Sequence, residues 1–105
     1  MKYKAVISDV DGTLVKISDP FNPEPEFSDK IKQAVAKAQG KVHFGIATAR
    51  SLIHSKHIFK ELNLKGPSIL QSGSIVADTQ TYKVLWEKKI EKKDYDDVVS
   101  ILKKL

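Results

Sequence analysis

Ala5-Val6-Ile7-Ser8-Asp9-Val10-Asp11-Gly12-Thr13 is the stretch that decides how this chain folds. A short apolar run ends there in a turn carrying two carboxylates two positions apart. Extended backbone sends side chains i and i+2 to the same side, so Asp9 and Asp11 can face one ligand. Gly12 accepts backbone conformations that bulkier residues resist, letting the chain turn sharply beneath a bound anion, and Thr13 adds a hydroxyl beside it. Asp-Gly is also among the commonest turn dipeptides, and a strand-end acid is ordinarily a solvated loop group. A second signal is needed before the pair points to phosphoryl chemistry.

Val42-His43-Phe44-Gly45-Ile46-Ala47 supplies it, another short apolar run, ending at Thr48-Ala49-Arg50-Ser51 before a helical pattern begins. A hydroxyl and free amides at a strand-to-helix junction suit an anion, although Thr48 is equally suited to be a plain helix cap. Working outward, residues 14–27 hold Pro20, Pro23 and Pro25, which exclude both helix interior and central strand, so this segment is a loop. Phe21 and Phe27 are its aromatics, able to close over a ligand or to fold onto the body. Ser28 caps a helix whose apolar positions are Ile31, Ala34, Val35 and Ala38, and Gly40 ends it. Leu52, Ser55, Phe59 and Leu62 form the face of the next helix, and Gly66-Pro67 stops the chain before a strand at Ser68 to Gln71.

Strand, helix, strand, helix, strand implies right-handed crossovers and a parallel sheet with its site at the carboxyl ends of the strands. Asp9, Thr48 and Ser72 all fall at that edge. Ile75-Val76-Ala77 and Tyr82 to Glu87, joined by a polar turn at Asp78 to Thr81, read as a hairpin in which Trp86 packs. Asp94 is placed to cap a last helix, with Asp97 three positions on and an apolar stripe at Val98, Ile101, Leu102 and Leu105.

Composition narrows the function classes. At 105 residues and 41% hydrophobic, the chain is one small domain with a modest core. Cysteine is absent, which excludes disulfides and thiol chemistry. No stretch has the length or apolarity of a membrane span or signal sequence, and the expected location is cytoplasmic. The net charge of +5 raises the question of a polyanionic partner, but the lysines are scattered and Arg50 is the one arginine, so no nucleic-acid site is expected. His54 and His57 lie three apart without a third ligand and read as helix surface; His43, in a strand, reads as core or edge. Asp94-Tyr95-Asp96-Asp97 follows a lysine-rich segment and reads as a helix start rather than a metal motif.

Together Asp9-Val10-Asp11-Gly12-Thr13 and Thr48 resemble the haloacid dehalogenase (HAD) superfamily, whose first motif is Asp-x-Asp-Gly-Thr and whose second is a Thr or Ser at the end of the next strand. Residues 68–78 extend the likeness to the third strand and hairpin of the Cof-type (subfamily IIB) branch, where Ser72-Gly73-Ser74 stands in place of the usual Asn-Gly-Ala. The resemblance implies an α/β fold, a three-layer Rossmann-like parallel sheet with flanking helices, truncated, plus a β-hairpin. Residues 1–90 would be a partial core, with a flap loop at 14–27 and the hairpin at 74–90. Residues 91–105 would be an amphipathic helix that begins a cap domain, the chain covering only the amino-terminal portion of such an enzyme.

By the same resemblance, Asp9 would be a nucleophile forming an aspartyl phosphate and Asp11 a general acid and base. Gly12, Thr13, Thr48, Ala49, Arg50, Ser72 and Gly73 would bind the phosphate, with Arg50 either steering substrate or pairing structurally. Mg²⁺ would bridge the Asp9 carboxylate, the main-chain carbonyl of Asp11 and the phosphate. The expected ligand is a small phosphomonoester, such as a sugar phosphate or a phosphoglycolate-like compound. A second copy or a complementing chain is expected over the open sheet edge, because an exposed apolar edge invites association. A non-catalytic phosphate-binding or interaction domain remains the alternative, and a basic nucleic-acid module the third.

Overall fold

The structure is a computed structural model that describes residues 2–17 and 24–105. Its elements run β1 (Ala5–Ser8), α1 (Asp29–Gln39), β2 (His43–Ile46), a 3₁₀ turn (Ile53–Ser55) leading into α2 (Lys56–Glu61), β3 (Pro67–Leu70), β4 (Ile75–Asp78), β5 (Val84–Glu87) and α3 (Lys92–Leu102). β1 and β2 pair in parallel, Ala5 opposite His43 through Ser8 opposite Ile46. A parallel bridge between Ala47 and Ile69 carries the alignment on to β3. The result is an α/β fold with parallel strands and flanking helices. Beyond β3 the direction changes: β4 pairs antiparallel with both β3 and β5. The hairpin therefore continues the third strand directly, which periodicity alone does not reveal.

Gly45 explains how β2 and β3 approach so closely. A Cβ there would lie 2.8 Å from the carbonyl oxygen of Pro67, so only hydrogen fits. The buried Ser68 hydroxyl accepts a hydrogen bond from the Ile46 amide at 3.0 Å across the same seam. Pro67 stands at the first strand position, where its missing N–H costs little. His43 opens β2, half-buried, with Nε2 2.9 Å from the Pro67 carbonyl.

α1 begins as its sequence dictates. The Ser28 hydroxyl accepts from the Ile31 amide at 3.2 Å, and Gly40 closes the far end. Val35 is its buried anchor, Ile31 and Ala38 are half-buried, and Ala34 turns out to solvent. Val10, Phe27, Phe44, Ile46, Ile58, Phe59, Leu62, Leu64 and Leu70 complete the core with Val35 and Ala77. Phe27 thus folds onto the body, while Phe21 and the rest of segment 18–23 of the expected flap lie outside the described residues.

Two expectations are corrected at the far end. Trp86 is 53% exposed, because β5 is an edge strand exposed throughout. α3 starts two residues before Asp94, with Glu91 at its N-cap, and Asp94 sits in the first turn. The stripe Val98, Ile101, Leu102 and Leu105 is exposed.

Candidate active site

The turn after β1 is built around Val10. Its fully buried side chain anchors the loop, and its carbonyl accepts from the amides of Thr13, Leu14 and Val15 at 2.9–3.2 Å. Gly12 has φ +86°, the left-handed conformation that the sequence reserved for it, and its amide donates to the Val15 carbonyl at 2.7 Å. With Val10 turned inward, the acids on either side of it turn outward. Asp9 is exposed and Asp11 half-buried. The Thr13 hydroxyl approaches Asp9 Oδ2 at 3.4 Å.

Asp9 lines a pocket of about 360 Å³ together with Ala47, Thr48, Ala49, Ile69, Ser72 and Gly73. Residues following all three parallel strands meet there. Of the nine positions singled out from sequence, five line this pocket. Gly12, Thr13, Asp11 and Arg50 do not; they stand beside it. Ala47 and Ile69 are the walls that sequence reading passed over, since a small or apolar residue at a strand end carries no chemical signal.

Thr48 is 7% exposed and does not cap a helix. No helix follows directly: the first helical residue is Ile53. The Thr48 hydroxyl oxygen instead accepts from the Arg50 amide at 3.1 Å, closing a local turn. The Thr48 carbonyl accepts from the Ser72 amide at 3.1 Å, and the Arg50 carbonyl from the Gln71 amide at 3.0 Å. The Arg50 and Ser72 amides are therefore engaged by Thr48, whose hydroxyl keeps its own proton to donate. These bonds lock the loop after β2 to the loop after β3.

Arg50 settles into structural pairing. Its Nε and Nη2 donate to Asp11 Oδ2 and Oδ1 at 2.9 and 2.8 Å, a two-point fork on a carboxylate. The arginine side chain is only 10% exposed. Hydrogen bonding to Arg50 holds the Asp11 carboxyl below the ordinary aspartate range, against a smaller opposing effect of burial, and Asp11 in turn raises Arg50. The Arg50 fork thus favours the ionised form of Asp11. Its carboxylate is taken by Arg50, so an ion bound at Asp9 would draw on the Asp11 main chain rather than its side chain.

The third loop is strained. Gln71 and Ser72 have φ of +48° and +56°, followed by Gly73 at +98°. Successive left-handed residues other than glycine are costly and concentrate at ligand-binding turns. Among the described residues no cluster of three or more metal-ligating side chains occurs. His54 is exposed, and His57 lies 3.6 Å from Glu61, which itself pairs with Lys32 at 2.9 Å; these serve the α1–α2 surface. No helix among the described residues is long and apolar enough to cross a membrane.

Parallel strands whose carboxyl ends gather an exposed aspartate, a buried threonine and a tight glycine turn define an α/β domain with its pocket at the strand ends. The chain belongs to the haloacid dehalogenase-like hydrolase family, whose model matches residues 6–105. Solved structures agree in fold. A phosphatase of the HAD superfamily from Bacteroides thetaiotaomicron superposes with a TM-score of 0.79 at 20% identity, over 96% of this chain and 35% of that one. A haloacid dehalogenase-like hydrolase from B. subtilis gives 0.74 at 26% identity, over 97% and 34%. A HAD subclass IIB sugar phosphatase gives 0.73 at 21%, over 97% and 38%. The chain spans roughly a third of the length of each. No curated protein matches the sequence.

Proposed function

We propose that this chain carries the nucleophile half of a Mg²⁺-dependent phosphohydrolase of the Cof-type (IIB) branch, acting on a small phosphomonoester. The observation that carries the reading is the shared pocket of Asp9, Thr48, Ser72 and Gly73 at the ends of three parallel strands. An Asp9 oxygen would attack phosphorus and break the ester P–O bond, giving an aspartyl phosphate, while Asp11 donates a proton to the leaving oxygen. Asp11 would then take a proton from water as that water attacks phosphorus, releasing phosphate and restoring Asp9. The Arg50 fork favours the second, basic role and opposes the first, so the pair must loosen when the leaving group is protonated.

Hard oxygen donors suit Mg²⁺, which is commonly held by one or two carboxylates together with waters and substrate phosphate. Asp9 Oδ and the Asp11 main-chain carbonyl would hold it here, and when bound it would neutralise charge between nucleophile and phosphate. The sugar-phosphate class is carried over from the subclass IIB neighbour, with a phosphoglycolate-like substrate as its smaller variant.

The test is phosphate release from an aryl phosphate with and without Mg²⁺, by the chain alone and mixed with a polypeptide covering the remaining two-thirds of a family member. Turnover that disappears in Asp9→Asn supports the assignment. Turnover that survives the substitution removes Asp9 as nucleophile.

A further inference from the structure

The parallel strands have a second end, opposite the Asp9 pocket, and it too is hollow. Residues just before β1 and between α1 and β2 line a cavity of about 490 Å³, among them Tyr3, Lys4, Gln39, Lys41 and His43. Segments 2–4 and 37–43 carry Lys2, Lys4, Lys37 and Lys41 and no aspartate or glutamate. The acids of the same elements stand at their other ends, Asp9 following β1 and Asp29 opening α1. Among the described residues neither Lys4 nor Lys41 forms an ion pair. Nor does the end of α1 call for them. The Lys37 and Ala38 carbonyls there already accept from the amides of Gly40, Lys41 and Val42 at 2.9–3.2 Å.

The wall behind these cations is fixed. The Gln39 side-chain nitrogen donates to the Leu62 and Asn63 carbonyls at 3.4 and 3.0 Å. His43 Nε2 lies 2.9 Å from the Pro67 carbonyl, which has no proton to give, so the ring nitrogen is the donor. Tyr3 adds an exposed ring and hydroxyl, with the Lys2 ammonium 6.0 Å from the ring centre.

We infer that this cavity is a second anion site, independent of the Asp9 pocket, for a small soluble molecule bearing two or more negative charges on phosphate or carboxylate groups. Two cations from different segments suit such a ligand, because a single exposed ion pair gains little in water. The volume lies in the range of small-molecule sites.

The test is a titration of the ¹⁵N-labelled chain in metal-free buffer of low ionic strength, with inorganic pyrophosphate and, separately, with tricarballylate. The amides of Lys4, Lys41, Val42 and His43 are followed beside those of Thr48 and Ser72. One or both anions are expected to give saturable shifts at the first group while Thr48 and Ser72 stay unmoved. Lys4→Gln with Lys41→Gln should weaken binding about tenfold or more, and each single substitution by less, with circular dichroism to verify folding. Lys103→Gln with Lys104→Gln removes the same charge elsewhere and should leave the affinity unchanged. Whichever anion binds more tightly assigns the ligand to phosphate or carboxylate chemistry. Absence of saturation with both anions overturns the proposal. An equal loss in the two double variants also overturns it, since net charge alone would then explain the binding. Shifts confined to Thr48 and Ser72 would place the anion in the Asp9 pocket and remove the second site alone.

Discussion

At the scale of single residues, Arg50 and Ser72 make opposite kinds of contribution. Arg50 spends a largely buried guanidinium on Asp11, and removing it leaves a half-buried carboxylate without its partner. Arg50→Gln is expected to destabilise the fold by about 1–3 kcal/mol at pH 7, measured by urea denaturation. The pH dependence follows from the depressed Asp11 carboxyl. Its contribution is fully present above the unfolded aspartate value, near 3.9, and is lost as pH falls through the lower folded value. The stability gap between the unsubstituted chain and Arg50→Gln should therefore narrow as pH falls below about 4; a constant gap would mean that the fork is not what Arg50 contributes. Ser72 holds a left-handed backbone that asparagine tolerates better than serine. Ser72→Asn should raise stability by about 0.5 kcal/mol, seen as a higher urea midpoint at unchanged slope.

At the scale of elements, the site depends on how β2 seats against β3. Gly45 makes that approach possible, and a methyl group there would press on the Pro67 carbonyl at 2.8 Å. Gly45→Ala should cost about 2 kcal/mol and pull the loops after β2 and β3 apart, which ¹⁵N chemical shifts of Thr48 and Ser72 would report. Much of this was legible in the chain itself. Asp-x-Asp-Gly after an apolar run located the β1 turn, Ser28 and Gly40 bounded α1, and the order of elements gave the parallel strands. The carboxyl-edge gathering of Asp9, Thr48 and Ser72 followed from that order. Three features were not legible. The Arg50 fork on Asp11 joins residues 39 positions apart, and no local pattern encodes such a pairing. Thr48 closing a turn instead of capping a helix depends on the delayed helix start at Ile53. The exposure of Trp86 depends on which strand ends the sheet, a property of the assembly of strands rather than of any one of them.

At the scale of the whole molecule, stability and exposure are unevenly shared. The radius of gyration is 16.2 Å, against about 13 Å for a compact domain of this length, and the longest dimension is 52 Å. The buried cluster lies between Val10 and Ala77, whereas Val98, Ile101, Leu102 and Leu105 of α3 and its turn are each more than half exposed. Ile58→Ala should thus cost about 2–4 kcal/mol, while Leu102→Ala should stay within about 0.5 kcal/mol in the monomer. β1 is open in the same way. Parallel strands are ordinarily covered on both faces, yet Val6 and Ile7 are 42% and 45% exposed and, among the described residues, β1 pairs only with β2. We propose that this edge is covered in the working protein, by a second copy or by a complementing polypeptide. Sedimentation velocity over a hundredfold range of concentration should show association, and Val6→Lys with Ile7→Lys should shift it to monomer by placing like charges on the edge. If the double substitution leaves the sedimentation profile unchanged while association persists, the contact lies elsewhere, and α3, with its own bare stripe, becomes the surface to substitute next.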